Sequence, residues 1–137
     1  MMSQKTVGDL MHKGIIACSP ETPMDEVVRM VGDTSVHALV VMDDDRQAIG
    51  MVTHTDIIRL FGEDLPQFAA RDVMSDTVII VESDQPAKVG ADLMLKNTVD
   101  RLLVVEVDGT RRTPVGILST TDLIKEMRGI RWIWHMG

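Results

Sequence analysis

The chain has 137 residues, 45% of them hydrophobic and 26% charged, the balance of a soluble globular protein, which excludes collagen-like, coiled-coil and low-complexity architectures. Fourteen basic against 21 acidic residues leave a net charge of −7, which repels a nucleic-acid backbone and an anionic membrane surface alike, so neither partner is expected. Cys18 is the only cysteine, the segment Met1 to Lys5 lacks the basic and apolar regions of a secretory signal, and no apolar run approaches the roughly 18 residues of a membrane helix; a cytoplasmic protein without an internal disulfide is expected.

In chain order, Ile15 to Ala17 form a short apolar run bounded by polar residues, which suits a buried strand. After Thr22-Pro23, Met24, Val27, Val28 and Val31 lie at i, i+3, i+4 and i+7, the spacing of a helix with one apolar face. Ala38 to Met42 and Ile49 to Val52 flank Asp43-Asp44-Asp45-Arg46-Gln47 and predict a hairpin. A helix follows near Asp56, with Ile57, Ile58 and Phe61 as its apolar residues. Gly62 to Ala70, with Pro66, reads as a linker. The pattern then recurs: a strand at Val78 to Val81, a helix on Ala87, Gly90, Ala91 and Met94, a hairpin from Leu102 to Val107 and Val115 to Leu118, and a helix near Asp122 carrying Leu123, Ile124 and Met127. With 3% aromatic residues and no tyrosine, the core must be filled by Val, Ile, Leu, Ala and methionine.

The recurrence is a duplication. Asp9-Leu10-Met11 returns as Asp72-Val73-Met74 and Pro23 as Pro86, each displaced by 63 residues, and Val36 with Leu39-Val40-Val41 returns at the same displacement as Val99 with Leu102-Leu103-Val104. Gly50-Met51-Val52-Thr53-His54-Thr55-Asp56-Ile57 matches Gly116-Ile117-Leu118-Ser119-Thr120-Thr121-Asp122-Leu123 at a displacement of 66. The extra residues fall around Asp108-Gly109-Thr110, a turn, where insertion costs little. The expected boundaries are 1–62 for the first copy, 63–70 for the linker, 71–129 for the second copy and 130–137 for a tail. A unit of this size buries only about 60% of its unfolded surface. The two β-α-β-β-α copies are therefore expected to share one core, packed sheet to sheet with approximate two-fold symmetry.

The order of elements, the doubling and the paired Gly-x-x-[Ser/Thr]-x-x-Asp motifs resemble the CBS domain pair, or Bateman module, from about Val7 to Arg128. That resemblance implies a regulatory module for signal transduction, commonly a homodimer, that binds an adenosine compound such as AMP, ADP, ATP or S-adenosylmethionine in clefts between copies and relays the event to a protein target. It implies no catalytic residues, no required cofactor and no metal. No Ser/His/Asp or Cys/His set, Walker loop or metal constellation is present in the sequence. The alternative is a structural dimerisation scaffold whose clefts bind nothing.

Asp56 and Asp122 have two compatible readings. Thr53-x-x-Asp56 and Ser119-x-x-Asp122 fit the helix capping box, and by resemblance each carboxylate also accepts the 2′ and 3′ hydroxyls of a ribose, with Thr53 and Ser119 as further ligand contacts. The helix start would add N–H groups for a phosphate. The resemblance places adenine against Ile16, Ala17, Val36, His37 and Ala38 in one cleft and against Ile79, Ile80, Val99 and Asp100 in the other. Residues 1–70 hold 5 basic and 11 acidic residues, and residues 71–137 hold 9 and 10. The cations thus lie in the second copy. Arg101, at the position of Ala38, is expected to answer a phosphate on a ligand held by Asp56, and the cleft of Asp122 is less suited to a polyphosphate. Arg111-Arg112 reads as a solvated turn, with a second phosphate contact as the alternative; Asp43 to Asp45 as a hydrated hairpin tip, with weak divalent-ion binding as the alternative; and Trp132 with Trp134 as a self-association anchor in preference to packing on the chain's own body.

Overall fold

The computed structural model describes residues 4–34 and 36–128; the tail with Trp132 and Trp134 lies outside them. Among the described residues the protein is a mixed α/β structure with two sheets, one of three strands in the order Ala17–Cys18, Ala38–Met42, Ala48–Thr53 and one of four in the order His12–Lys13, Arg111–Ser119, Arg101–Asp108, Ile80–Glu82. Each sheet belongs to its own unit. One unit is Ile15–Val78, and the other joins Met1–Gly14 to Ile79–Gly137.

The Ile15–Val78 unit contains β2 (Ala17–Cys18), α2 (Met24–Thr34), β3 (Ala38–Met42), β4 (Ala48–Thr53), α3 (His54–Ile58), a 3-10 turn (Leu65–Gln67) and α4 (Ala70–Val73). The other unit contains α1 (Val7–Leu10), β1 (His12–Lys13), β5 (Ile80–Glu82), α5 (Ala87–Asn97), β6 (Arg101–Asp108), β7 (Arg111–Ser119) and α6 (Thr120–Met127). β2 pairs parallel with β3, and β5 with β6; the hairpins β3-β4 and β6-β7 are antiparallel. The helical spacing read from the sequence is the buried face of α2 and α5: Met24, Val27 and Val31 in one, Ala87, Gly90 and Met94 in the other. The inserted residues lengthen the second hairpin: β6 and β7 have 8 and 9 residues against 5 and 6 in β3 and β4, and Asp108 pairs with Arg111 across a tight turn in which Gly109 takes a φ of +64°.

Two expectations need correction. The first strand of each copy starts later than its apolar run, because parallel pairing begins only where β3 and β6 are already extended. Ala17 pairs with Val40 and Ile80 with Leu103, while Ile16 and Ile79 contribute carbonyls to the N–H groups of Val40 and Leu103. Each unit has its own cluster of buried residues. Leu39, Val41, Val52, Met24, Val27, Val31 and Ala70 form one, and Leu102, Val104, Leu118, Val7, Val81 and Met94 form the other. The stretch read as a linker is itself packed: Leu65 and Phe68 lie against the first of these cores, and Phe68 accepts the Met24 N–H at 2.9 Å.

The opening segments of the two copies are exchanged. Residues 6–14 build onto the second copy's sheet, where Val7 is fully buried and β1 pairs with β7. The matching residues 69–75 build onto the first copy's sheet, where Ala70 is fully buried and Ser75 bridges Met51. The glycines of the repeated motif make this possible. A Cβ on Gly50 would stand 2.9 Å from the Ser75 carbonyl oxygen and closer still to Met74 Sδ. One on Gly116 would stand 2.7 Å from Met11 Sδ and closer still to the His12 carbonyl. These glycines admit the backbone and methionine of the exchanged segment, the usual reason for glycine inside a strand.

Cys18 is half-buried beside this core, and its thiol is pushed above the ordinary range, chiefly by burial, with Glu26 adding to the rise and the Thr22 hydroxyl opposing it. The thiolate is the reactive species. Iodoacetamide near neutral pH is therefore expected to label Cys18 more slowly in the folded protein than in denaturant; equal rates would contradict that environment.

Candidate functional site

Strand register decides which of the sequence-selected residues can meet. In the Ile15–Val78 unit, Ala38 pairs with Thr53, Ile16 bonds Val40 through its carbonyl, and the His54 Nε2 lies 2.9 Å from the Val36 carbonyl oxygen. Ile16, Ala17, Val36, His37, Ala38, Thr53 and Asp56 are therefore collected at one end of the three-stranded sheet. In the other unit Arg101 pairs with Ser119, the Thr120 N–H donates to the Asp100 carbonyl at 2.9 Å, and Ile79 bonds Leu103. Ile79, Ile80, Val99, Asp100, Arg101, Ser119 and Asp122 are collected at the corresponding end of the four-stranded sheet.

At both ends the carboxylate is fixed by the first turn of the helix it belongs to. Asp56 Oδ2 accepts the Thr53 N–H at 2.9 Å and the Thr53 hydroxyl at 3.0 Å, and the Asp56 N–H returns to Thr53 Oγ1 at 3.4 Å. Asp122 Oδ2 accepts the Ser119 N–H at 2.8 Å and the Ser119 hydroxyl at 3.0 Å, with the same return bond at 3.4 Å. The capping box is formed in both copies. It consumes Oδ2 and leaves Oδ1 as the oxygen that can face something else.

The two Oδ1 atoms have different surroundings. Asp56 Oδ1 is 3.7 Å from Nη1 of Arg59, whose side chain is 74% exposed. Such a solvated pair contributes little. Asp122 Oδ1 is 3.1 Å from His12 Nδ1, and the Asp122 side chain is only 5% exposed, against 12% for Asp56. Arg101 is held by its neighbour: Nε reaches Asp100 Oδ1 at 2.9 Å and Nη2 reaches Oδ2 at 3.3 Å. This bidentate geometry is the one a guanidinium also uses on phosphate.

Two residues of these ends were not singled out from the sequence as site residues. His12 reaches Asp122 only because its segment is exchanged, and a separation of that length leaves no local spacing to read. His54, whose ring centroid lies 5.4 Å from that of His37, bonds the Val36 carbonyl, a backbone group that periodicity cannot mark. At the hairpin tip, Asp43 Oδ1 accepts the N–H groups of Asp45 and Gln47, each at 2.9 Å, so the acidic run closes its own turn. Among the described residues no cluster of three or more His, Cys, Asp or Glu could hold a metal, and no helix is long and apolar enough to cross a membrane.

A duplicated α/β unit, each copy ending its hairpin in a capped Gly-x-x-[Ser/Thr]-x-x-Asp turn, defines a class of tandem modules. The CBS domain profile matches residues 7–63 and 70–129, and the chain belongs to the CBS domain family. Inosine-5′-monophosphate dehydrogenase of Methanocaldococcus jannaschii is 27% identical over 124 residues, which are 90% of this chain and 24% of that enzyme. A Methanopyrus kandleri protein is 25% identical over 127 residues, 90% of this chain and 63% of its own length. The chain thus spans less than two thirds of either relative. Among solved structures, the CBS domain pair of protein MJ0100, in complex with 5′-methylthioadenosine and S-adenosyl-L-methionine, matches with a TM-score of 0.80 at 21% identity, covering 93% of this chain and 98% of that one. CBSX2 in complex with AMP matches with a TM-score of 0.73 at 25% identity, covering 90% and 96%.

Proposed function

We propose that the chain is a non-catalytic regulatory module that binds an adenosine compound, with Asp56 as ribose acceptor, and passes the event to a protein partner. The observation that carries this reading is the state of Asp56: a carboxylate held rigid through one oxygen, with the other at the sheet end where Ile16, Ala17, Val36, His37 and Ala38 offer aliphatic surface and backbone groups. A ribose diol donates two hydrogen bonds, and a pre-positioned carboxylate meets it without an ordering cost. The relatives solved with AMP and with S-adenosyl-L-methionine support the same ligand class. Thr53 is a further contact at that end, Arg101 is the group assigned to a phosphate, which would share or displace its Asp100 partner, and in the second copy Asp122, Ser119, Ile79, Ile80, Val99 and Asp100 stand at the equivalent positions.

A thermal-shift panel of AMP, ADP, ATP, S-adenosylmethionine and NAD tests the ligand class. A compound at a hundred times its Kd stabilises the folded state by about 2.7 kcal/mol, a rise of several degrees. A rise with at least one adenosine compound is expected. No rise with any of them would favour the scaffold reading, which the existing partners of Asp122 and Arg101 make the serious alternative.

The homodimer is part of the same proposal. Phe61 and Met127 occupy matching positions after the two motif helices and are 89% and 81% exposed, while their neighbours Ile58 and Ile124 are also exposed. Apolar side chains repeated at equivalent sites suit burial against a second chain. Light scattering is expected to give the mass of two chains, and Phe61→Asp to shift it towards one. An unchanged mass in the variant would remove Phe61 from the interface.

A further inference from the structure

We infer that the two ligand ends are unequal, and that His12 acts as an internal occupant of Asp122, standing where a ribose hydroxyl would otherwise bond. This inference rests on the proposed adenosine binding and assigns its stoichiometry. It follows from an account of every acceptor position. In both copies Oδ2 already receives two donors from the capping residue. A ribose diol must therefore bond through Oδ1. On Asp56 that oxygen has Arg59 Nη1 near it, at 3.7 Å, beyond hydrogen-bond length. On Asp122 it is met by His12 Nδ1 at an ion-pair distance of 3.1 Å, from a side chain that is 63% exposed, so the imidazole stands against the oxygen that a diol would approach.

The occupant is held in place by its backbone. His12 belongs to β1, whose register pairs His12 with Ile117 and Lys13 with Gly116. Just beyond, the Gly14 N–H donates to the Val115 carbonyl at 2.8 Å. The ring is thus delivered by a strand that is part of the sheet, not by a mobile side chain of the helix. The equivalent position in the exchanged segment of the other copy is Ser75, which bonds the backbone of Met51 in both directions, at 2.9 and 3.0 Å. No side-chain bond links Ser75 to Asp56. At this repeat position a histidine stands beside one acceptor and a serine takes its place in the other copy. His12 is a positioning and specificity residue: it decides which carboxylate is available.

The test is isothermal titration of the full chain with whichever of AMP, ATP and S-adenosylmethionine gives the largest thermal shift. The expected result is one molecule per chain for the wild type, binding weakened by about ten- to a hundredfold in Asp56→Asn, and two molecules per chain for His12→Ser, which copies the residue of the other repeat. The backbone bonds of β1 do not involve the replaced ring, and a melting curve checks that the fold is kept. Asp122→Asn provides a second readout that does not depend on His12→Ser: it should leave the wild-type stoichiometry and Kd unchanged. Two molecules on the wild type, one on His12→Ser, or loss of binding in Asp122→Asn would each overturn the inference and leave adenosine binding itself intact. Absence of binding by both the wild type and His12→Ser would overturn the functional reading together with the inference.

Discussion

Gly116→Ala is expected to lower the melting temperature by about 10 °C, because the added methyl meets backbone. Overpacking of a filled site costs about 1–3 kcal/mol, and somewhat more when a strand must move; a chain of this length loses roughly 3–5 °C per kcal/mol. The nearest atoms to the new Cβ are the His12 carbonyl oxygen and Met11 Sδ. Relief requires β1 to withdraw from β7, which loosens Val7 as well. Gly50→Ala should be milder, since the closest obstacle there is the end of the Met74 side chain, with the Ser75 carbonyl at 2.9 Å. Gly32→Ala is the control. It lies in α2 with nothing within 4 Å of the new Cβ, so the helix preference for alanine, about 0.8–1.0 kcal/mol, should raise the melting temperature. Equal losses at all three positions would mean that the exchanged segments are not what these glycines accommodate.

Asp56→Asn is expected to weaken adenosine binding by about ten- to a hundredfold while the protein stays folded. The amide can keep its oxygen towards the Thr53 N–H, so most of the cap survives. The atom left facing the ligand is then an NH2 group, which cannot accept from a ribose hydroxyl. Loss of a charge-assisted hydrogen bond is worth roughly 1.5–3 kcal/mol, and each 1.4 kcal/mol is tenfold in Kd. A variant that binds as tightly as the wild type would leave Asp56 with its capping role alone.

The duplication and the helix faces could be read from the chain because both are periodic signals. Met24, Val27 and Val31 are buried as their spacing requires, whereas the extra residues of the second copy, read as a longer turn, extend the strands β6 and β7 instead. The residues proposed for each candidate end were named through the family resemblance, and hairpin register brings Ala38 to Thr53 and Arg101 to Ser119. The destination of each opening segment was not legible. Val7 and Ala70 have the same apolar character wherever they pack, and nothing in the repeat says which copy's sheet receives which segment. The one available signal was the interior glycine of each motif, a mark of close backbone approach that fits a ligand contact equally well in sequence. His12 was invisible for the same reason, since its partner is chosen by the exchange.

The exchange also sets an order in time. Ile15–Val78 is continuous in the chain, so all of its strands have left the ribosome before β6 is made. Val7 and His12 emerge early but find their places only after Arg111–Ser119 has been synthesised. Until then an apolar lead stretch waits without its sheet, and contacts so distant along the chain close slowly. A nascent chain stalled between the two stages would carry one finished unit and one open, aggregation-prone remnant.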